Sequence, residues 1–336
     1  MSIKSLLPGP LGFGAAPIGN AFRVISDEDA AATVQAAWDH GVRYFDTAPF
    51  YGAGLSEIRL GEVLSQYPRE QYVLSTKVGR VVLDEDEDPA AREPGEKGGL
   101  FAYGLPRKIV VDYTADATLR TIEDSLTRMK TDRVDIVWVH DVAQDFLGDQ
   151  WVDAFDTARK GAFRALARLR AEGVIKAWGL GVNRVEPLEL TLDLDEPRPD
   201  AFLLANRYTL LDHKRALQRL LPDALAQNVD IVVGGPYSSG ILAGGKTFEY
   251  QQASPQIVAK VERLKALVHQ HGISLKAAAL QFSLAHPANV AVIPGASKPS
   301  RITEDAAALQ EEIPAAFWAA LREEQLIDLE AAVPAA

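Results

Sequence analysis

RYFDTAPFYG, residues 43–52, starts as a short aromatic, apolar run and ends in a proline- and glycine-bearing turn that carries Asp46 and Tyr51. The run reads as a buried strand, and its polar residues lie at or just past the downstream end. The same design recurs along the chain. YVLSTKV (72–78) places Lys77 near its end, and VDIVWVH (134–140) ends on His140. IKAWGLGV (175–182), AFLLAN (201–206), DIVVGG (230–235) and VAVIPGA (290–296) are further strands, and LGFGAAPIG (11–19) is a weaker first one because glycines interrupt it. Between them run amphipathic stretches with helical spacing at 26–41, 56–68, 114–130, 159–173, 213–227 and 256–272. The first opens on Ser26, carries acids in its first turn and stops at Gly41.

About eight strand–helix units are the count of a (β/α)8 barrel, with parallel strands joined by right-handed crossovers. A doubly wound sheet is the alternative, but LGFGAAPIG lacks the G-x-G-x-x-G spacing and leads into AFRVISDED, not directly into a helix. The expectation is an α/β fold: one TIM barrel domain over 1–336, with a long rim loop and two C-terminal helices, PSRITEDAAAL and PAAFWAALREEQL. The rim loop is the acidic, Pro/Gly-rich segment 84–112 after the Lys77 strand, read as a partly ordered lid in preference to a plain solvated loop.

The chain has 336 residues, 47% hydrophobic and 24% charged, which suits an ordinary globular protein whose core needs no staple. It contains no cysteine, so disulfides, thiolate metal sites and cysteine nucleophiles are excluded, and no metal is expected. A formal net charge of -11 argues against a nucleic-acid partner. The start, MSIKSLLPGPLGFG, does not read as a secretory signal, and no apolar run reaches membrane-spanning length. A cytoplasmic monomer or small homo-oligomer is expected.

If the strands are parallel neighbours in one barrel, Asp46, Tyr51, Lys77 and His140 converge on its C-terminal rim, where barrel enzymes build their sites. A tyrosine is a weak acid, with a reference pKa of ~10. A nearby ammonium stabilises its phenolate and lowers that value, while a carboxylate holds the ammonium in place. A histidine on the next strand can donate to a substrate oxygen. Such a group exchanges a proton with a carbonyl or alcohol oxygen while a nicotinamide or flavin moves the hydride, which no side chain can do. Singly, each residue has a plain structural reading: a turn aspartate, a rim aromatic, a packed histidine. Together they are far more specific, and an unpaired lysine at a buried strand end is costly.

These motifs resemble the aldo-keto reductase superfamily. Asp46-Thr47-Ala48-Pro49-Phe50-Tyr51-Gly52, then Ser56-Glu57 and Leu60-Gly61, Ser75 through Val78, and Asp135 through His140 follow the family's order, as does Ile293 through Ser297 with Arg301 and Glu304-Asp305. The likeness runs from about residue 5 to 325. It implies Tyr51 as general acid/base, Lys77 and Asp46 as its tuning pair and His140 as the substrate-orienting donor. Within the superfamily the likeness points to the branch of aldose 1-dehydrogenases, with pyridoxal oxidation related to it.

For the cofactor, the resemblance implies Asn183 at the nicotinamide amide. It implies a pyrophosphate loop with Gly234, Pro236, Ser238, Ser239, Gly240 and Leu242, whose backbone amides suit phosphates. The C-terminal signature adds Gly295, Ser297, Lys298, Arg301, Glu304 and Asp305. Arg301 matches a position that commonly contacts an adenosine 2′-phosphate, so NADP(H) is favoured and NAD(H) is the alternative, since Gly295 and Ala296 stand where stricter NADP enzymes have Lys and Ser. Phe50, Phe101, Tyr103 and Trp151 are the expected substrate contacts. The implied reaction is oxidation of a sugar hemiacetal at C1 to a lactone, or aldehyde reduction in reverse. The other readings are pyridoxal oxidation, a general carbonyl reductase, and a nicotinamide-binding regulatory barrel.

Overall fold

The computed structural model describes residues 2–88 and 98–334. Eight strands form one sheet in chain order: β1 (Phe13–Gly14), β2 (Tyr44–Asp46), β3 (Val73–Val78), β4 (Ile136–His140), β5 (Ala177–Val182), β6 (Ala201–Ala205), β7 (Asp230–Gly234) and β8 (Asn289–Ile293). Every neighbouring pair is parallel, and bridges from Leu11 to Val292 and from Gly14 to Gly295 close β8 onto β1. The result is the (β/α)8 barrel expected from the alternation. The sheet has no open edge, and that matches strands buried on both faces.

Alternate residues point into the barrel. Tyr44, Ile136, Trp138, Ala177, Leu203, Val232 and Ile293 fill it as one cluster, and Ile3 from the N-terminal segment closes its lower end. The second cluster lies between the strands' outer faces and the helices. Gly179 and Gly181 sit where β5 crosses large neighbours. A Cβ at Gly181 would press within 3.2 Å of Trp138 Cβ and 3.6 Å of Lys77 Cε. The glycine there makes room for the two bulkiest inward side chains of β3 and β4.

Among the described residues, four helices are not evident as periodic patterns: Gln144–Leu147, Trp151–Lys160, Glu186–Leu192 and Leu275–Leu284. The last is apolar almost all round and buried, so it presents no amphipathic stripe. The expected helix at 213–227 is two, Lys214–Gln218 and Leu220–Ala226, broken at Arg219. Pro222 explains the break, because its ring crowds the carbonyl four residues back and it lacks the N–H to bond it. The two expected closing helices are Pro299–Gln310 and Ala315–Glu323. Among the described residues no helix is long and apolar enough to cross a membrane.

The described parts of the rim segment are built into regular structure. Arg80–Asp86 and Arg107–Val111 pair as an antiparallel hairpin, and Gly98–Phe101 forms a helical turn over the barrel mouth. Residues 89–97 of the expected lid lie outside the described residues.

His213 ties the C-terminal segment to the barrel. It is buried, its Nδ1 lies 2.9 Å from the Thr209 carbonyl, and its Nε2 accepts from the Asp328 N–H at 3.0 Å. Burial pulls its pKa down to about 4. Between about pH 6.5 and about pH 4 the unfolded chain takes up a proton that the folded chain refuses, so stability falls as pH falls through that window. The full effect is roughly 3 kcal/mol. Urea unfolding of the native chain and of His213→Gln at about pH 7 and about pH 4.5 checks it. The variant should lose markedly less stability on acidification, and equal losses would show that His213 is not responsible.

Candidate active site

The ends of the strands decide what meets at the barrel mouth. Asp46, Lys77 and His140 are the last inward residues of β2, β3 and β4, and the registers pair Asp46 with Ser75, Lys77 with Trp138 and His140 with Gly181. Tyr51 follows β2 on a turn. All four line one cavity of about 360 Å³ at the C-terminal face. Lys77 Nζ donates to Asp46 Oδ2 at 2.6 Å and to the Thr47 carbonyl at 2.8 Å, and Ser75 Oγ donates to Asp46 Oδ1 at 2.6 Å. Both charged groups of this pair are buried.

The ammonium lies 4.7 Å from the centre of the Tyr51 ring, and the His140 ring stands edge-on to it at 5.8 Å. Among the described residues the Tyr51 hydroxyl has no hydrogen-bond partner. The expected lowering of its pKa is not found. Burial pushes the phenol well above its ordinary value, and Asp46 and Asp141 push it further. Burial is the chief cause, and the nearby ammonium does not offset it while it is bonded to Asp46 and the Thr47 carbonyl. His140 moves the other way. Burial, with Lys77 and Arg80 nearby, holds its pKa well below the usual imidazole range, so it is neutral.

The opposite part of the cavity has a different chemistry. Arg23 and Arg301 both line it, and Arg23 Nη2 donates to Ser297 Oγ at 2.7 Å. Gly234, Gly235, Pro236, Ser239 and Gly240 form the wall after β7, and Asn183 lines it from the end of β5. Ser238, Ser239 and Gly240 are successive left-handed residues, the kind of turn whose backbone amides can face an anion. Asn206 presents a buried Oδ1 without a partner, packed where a Cβ on Gly235 would come within 2.5 Å of it. An orphaned amide acceptor, an amide on the neighbouring strand and two guanidinium groups fit the amide and phosphates of a nicotinamide dinucleotide.

Not every expected contact lines this wall. Ser238 Oγ donates to Thr209 Oγ1 at 2.9 Å, and Leu242 is in the core. Asp305 accepts from the Tyr237 hydroxyl at 2.6 Å and pairs with Lys276, which also bonds Glu304 at 3.0 Å; these acids hold the helix after β8. Lys298 is exposed beside that helix. Phe50 and Phe101 line the cavity, 5.2 Å apart, but Tyr103 is 54% exposed and contributes its carbonyl, which accepts from Asn20 Nδ2 at 2.8 Å. Trp151 starts a helix outside the cavity wall and packs near Phe155.

Several wall residues had no sequence signal: Phe22, Arg23, Asp141, Phe146 and Tyr250. Tyr250 comes from the loop after β7, and its hydroxyl accepts from Asn206 Nδ2 at 3.1 Å. Phe22, from the loop after β1, stacks on it at 6.5 Å. Arg59 fixes that loop by donating to the Ile18 and Ile25 carbonyls and to Asn20 Oδ1.

The profile of the Aldo/keto reductase family matches residues 10–325. The chain belongs to the aldo-keto reductase family. It is an oxidoreductase that works with a nicotinamide cofactor. This aldo-keto reductase is 37% identical to pyridoxal 4-dehydrogenase of Microbacterium luteolum over 325 residues, 94% of either chain. It is equally, 37%, identical to D-threo-aldose 1-dehydrogenase of a Pseudomonas species over 324 residues, again 94% of each. An L-galactose dehydrogenase of Arabidopsis thaliana shares 30% identity, covering 90% of this chain and 84% of the relative. Among solved structures, an aldo-keto reductase of Bacillus halodurans in its holo form superposes with a TM-score of 0.68 at 24% identity, over 97% of this chain and 93% of that one, which bears on the fold.

Proposed function

We propose that this aldo-keto reductase oxidises an aldose, in its cyclic hemiacetal form, at C1 to the lactone. The observation that carries this reading is the meeting of Tyr51, His140 and the Lys77–Asp46 pair at one end of a cavity whose other end carries Arg23 and Arg301. The dehydrogenase relatives that share 37% and 30% identity, one named for D-threo-aldoses and one for L-galactose, support the substrate class.

The nicotinamide, when bound, accepts or supplies the hydride. The chain's own residues do the rest. Neutral His140 donates to the oxygen on the reacting carbon and fixes its position. Tyr51 opens to the cavity: as the phenolate it takes the proton of that oxygen on oxidation, and as the phenol it gives the proton back on reduction. The Lys77–Asp46 pair keeps a fixed dipole under the phenol. Phe50, Phe101 and Phe146 exclude water from this end. Asn183 and Asn206 would hold the cofactor's amide, and Arg23, Ser297 and Arg301 its phosphates. The two guanidinium groups favour NADP(H) over NAD(H).

Pyridoxal oxidation is a second reading, favoured by the three phenylalanines, which suit a flat aromatic ring, and by the relative named for it. The test is the initial rate of reduced-nicotinamide formation with L-fucose, L-galactose, D-arabinose, D-xylose and pyridoxal, each with NADP and with NAD. A sugar is expected to lead. Pyridoxal alone would replace the reading, and no turnover with any of them would end it. In the same assay Arg301→Ala should raise KM for NADP by about tenfold or more and leave that for NAD nearly unchanged. Equal effects on both would remove the NADP preference.

A further inference from the structure

Asp141 follows His140 directly, and strand alternation would turn it away from the barrel axis. It instead lines the same cavity. The turn is made by a left-handed backbone, φ 52°, which aspartate tolerates at some cost. Its residue is 3% exposed. Arg80 Nη2 lies 3.2 Å from Asp141 Oδ2, and the Arg80 guanidinium is stacked over the Phe50 and Phe146 rings at 4.8 and 5.0 Å. A buried carboxylate placed on a left-handed turn beside the reacting centre is expensive.

The spacing gives it a use. His140 Nε2 is 3.6 Å from Asp141 Oδ2. The carboxylate favours the proton on Nε2, which makes that nitrogen a donor, with the tautomer assigned from these surroundings. A donor and an acceptor thus stand side by side, facing one cavity. Two oxygens on adjacent carbons of a diol or an α-hydroxy aldehyde also sit about a hydrogen-bond length apart. One can accept from His140 while the other donates to Asp141.

We infer that Asp141 reads the hydroxyl on the carbon next to the one that is oxidised, so that the enzyme selects substrates with that hydroxyl over those without it. This rests on the dehydrogenase reading above. Arg80 is a positioning residue that holds the carboxylate in place. A carboxylate accepts a hydroxyl proton strongly, and a site built for that bond discriminates against the compound lacking it.

The test compares native enzyme and Asp141→Asn on two substrate pairs. One is the aldose oxidised fastest and its 2-deoxy counterpart. The other is glyceraldehyde and 3-hydroxypropanal, in the direction of reduction. Native enzyme should prefer the hydroxylated member of each pair. Asp141→Asn should lose about thirtyfold in kcat/KM on that member, about ten times more than on its partner. Equal losses on both members would overturn the inference, as expected for a residue that only supports Arg80 or His140. So would a native enzyme that reduces glyceraldehyde no faster than 3-hydroxypropanal, a result that needs no variant. If no aldose is oxidised, yet the glyceraldehyde preference exists and vanishes in the variant, the aldose reading fails and this one stands.

Discussion

Tyr51→Phe is expected to lower turnover by about 10³- to 10⁴-fold while leaving fold and cofactor affinity almost untouched. The two halves of that expectation come from the same fact. Among the described residues the hydroxyl bonds to nothing, so its removal strands no buried donor or acceptor. The stability change should stay within about 0.5 kcal/mol. The ring itself remains, packed at 5.4 Å from Phe101 and under the Lys77 ammonium, so the wall keeps its shape. What is lost is the proton carrier. Its raised pKa adds a direction to the native enzyme's pH profile. A phenol that stays protonated above neutrality is ready to donate, which suits reduction. Oxidation needs the phenolate, so its rate should climb from about pH 7 to about pH 10 while reduction does not. Paired kcat/KM profiles and fluorescence titration of the reduced cofactor check both halves. A Tyr51→Phe enzyme with more than about a tenth of native turnover would remove the tyrosine from proton transfer.

The barrel was legible because its strands are short, β-branched and separated by helix-length stretches, a pattern that sidechain periodicity alone generates. Asp46, Lys77 and His140 were legible for a related reason: each stands at or near the end of a strand-like run, and although each alone has a plain structural reading, the three types together at three strand ends do not. Asp141 was not, because the period of two assigns it to the outer face and only a positive φ brings it back. Phe22, Arg23 and Tyr250 sit on loops whose course depends on contacts made across the rim, such as the Phe22 amide donating to the Leu100 carbonyl at 2.9 Å. No local pattern encodes that. The helix Leu275–Leu284 escaped because a helix buried all round has no stripe to detect. The phenol's acidity was misjudged for a different reason. The residue types identify an ammonium near a tyrosine, but not how deeply the phenol is buried, which raises its pKa most, nor that the carboxylates Asp46 and Asp141 lie close enough to raise it further.

The Lys77–Asp46 pairing leads to the second large effect. Lys77→Met should cost the protein stability as well as activity. The substitution keeps most of the side chain's volume and removes its charge. Asp46 would then be left 1% exposed with Ser75 as its remaining side-chain donor. Removing one partner of a buried ion pair costs about 3–5 kcal/mol, because the survivor is neither solvated nor neutralised unless it takes up a proton. A loss of that size should lower the thermal midpoint by about 4–7 °C. Asp46→Asn combined with Lys77→Met removes both charges, and the interior then holds only neutral groups of similar shape. The double variant should recover most of the lost stability, since replacing a whole buried pair is often nearly neutral. It should not recover turnover, because the fixed dipole beneath Tyr51 is gone. Denaturant unfolding and kcat, measured on the native chain, the single variant and the double variant, separate the two roles. A single variant as stable as the native chain, or a double variant no more stable than the single, would mean that Lys77 is not held in place chiefly by its pairing with Asp46.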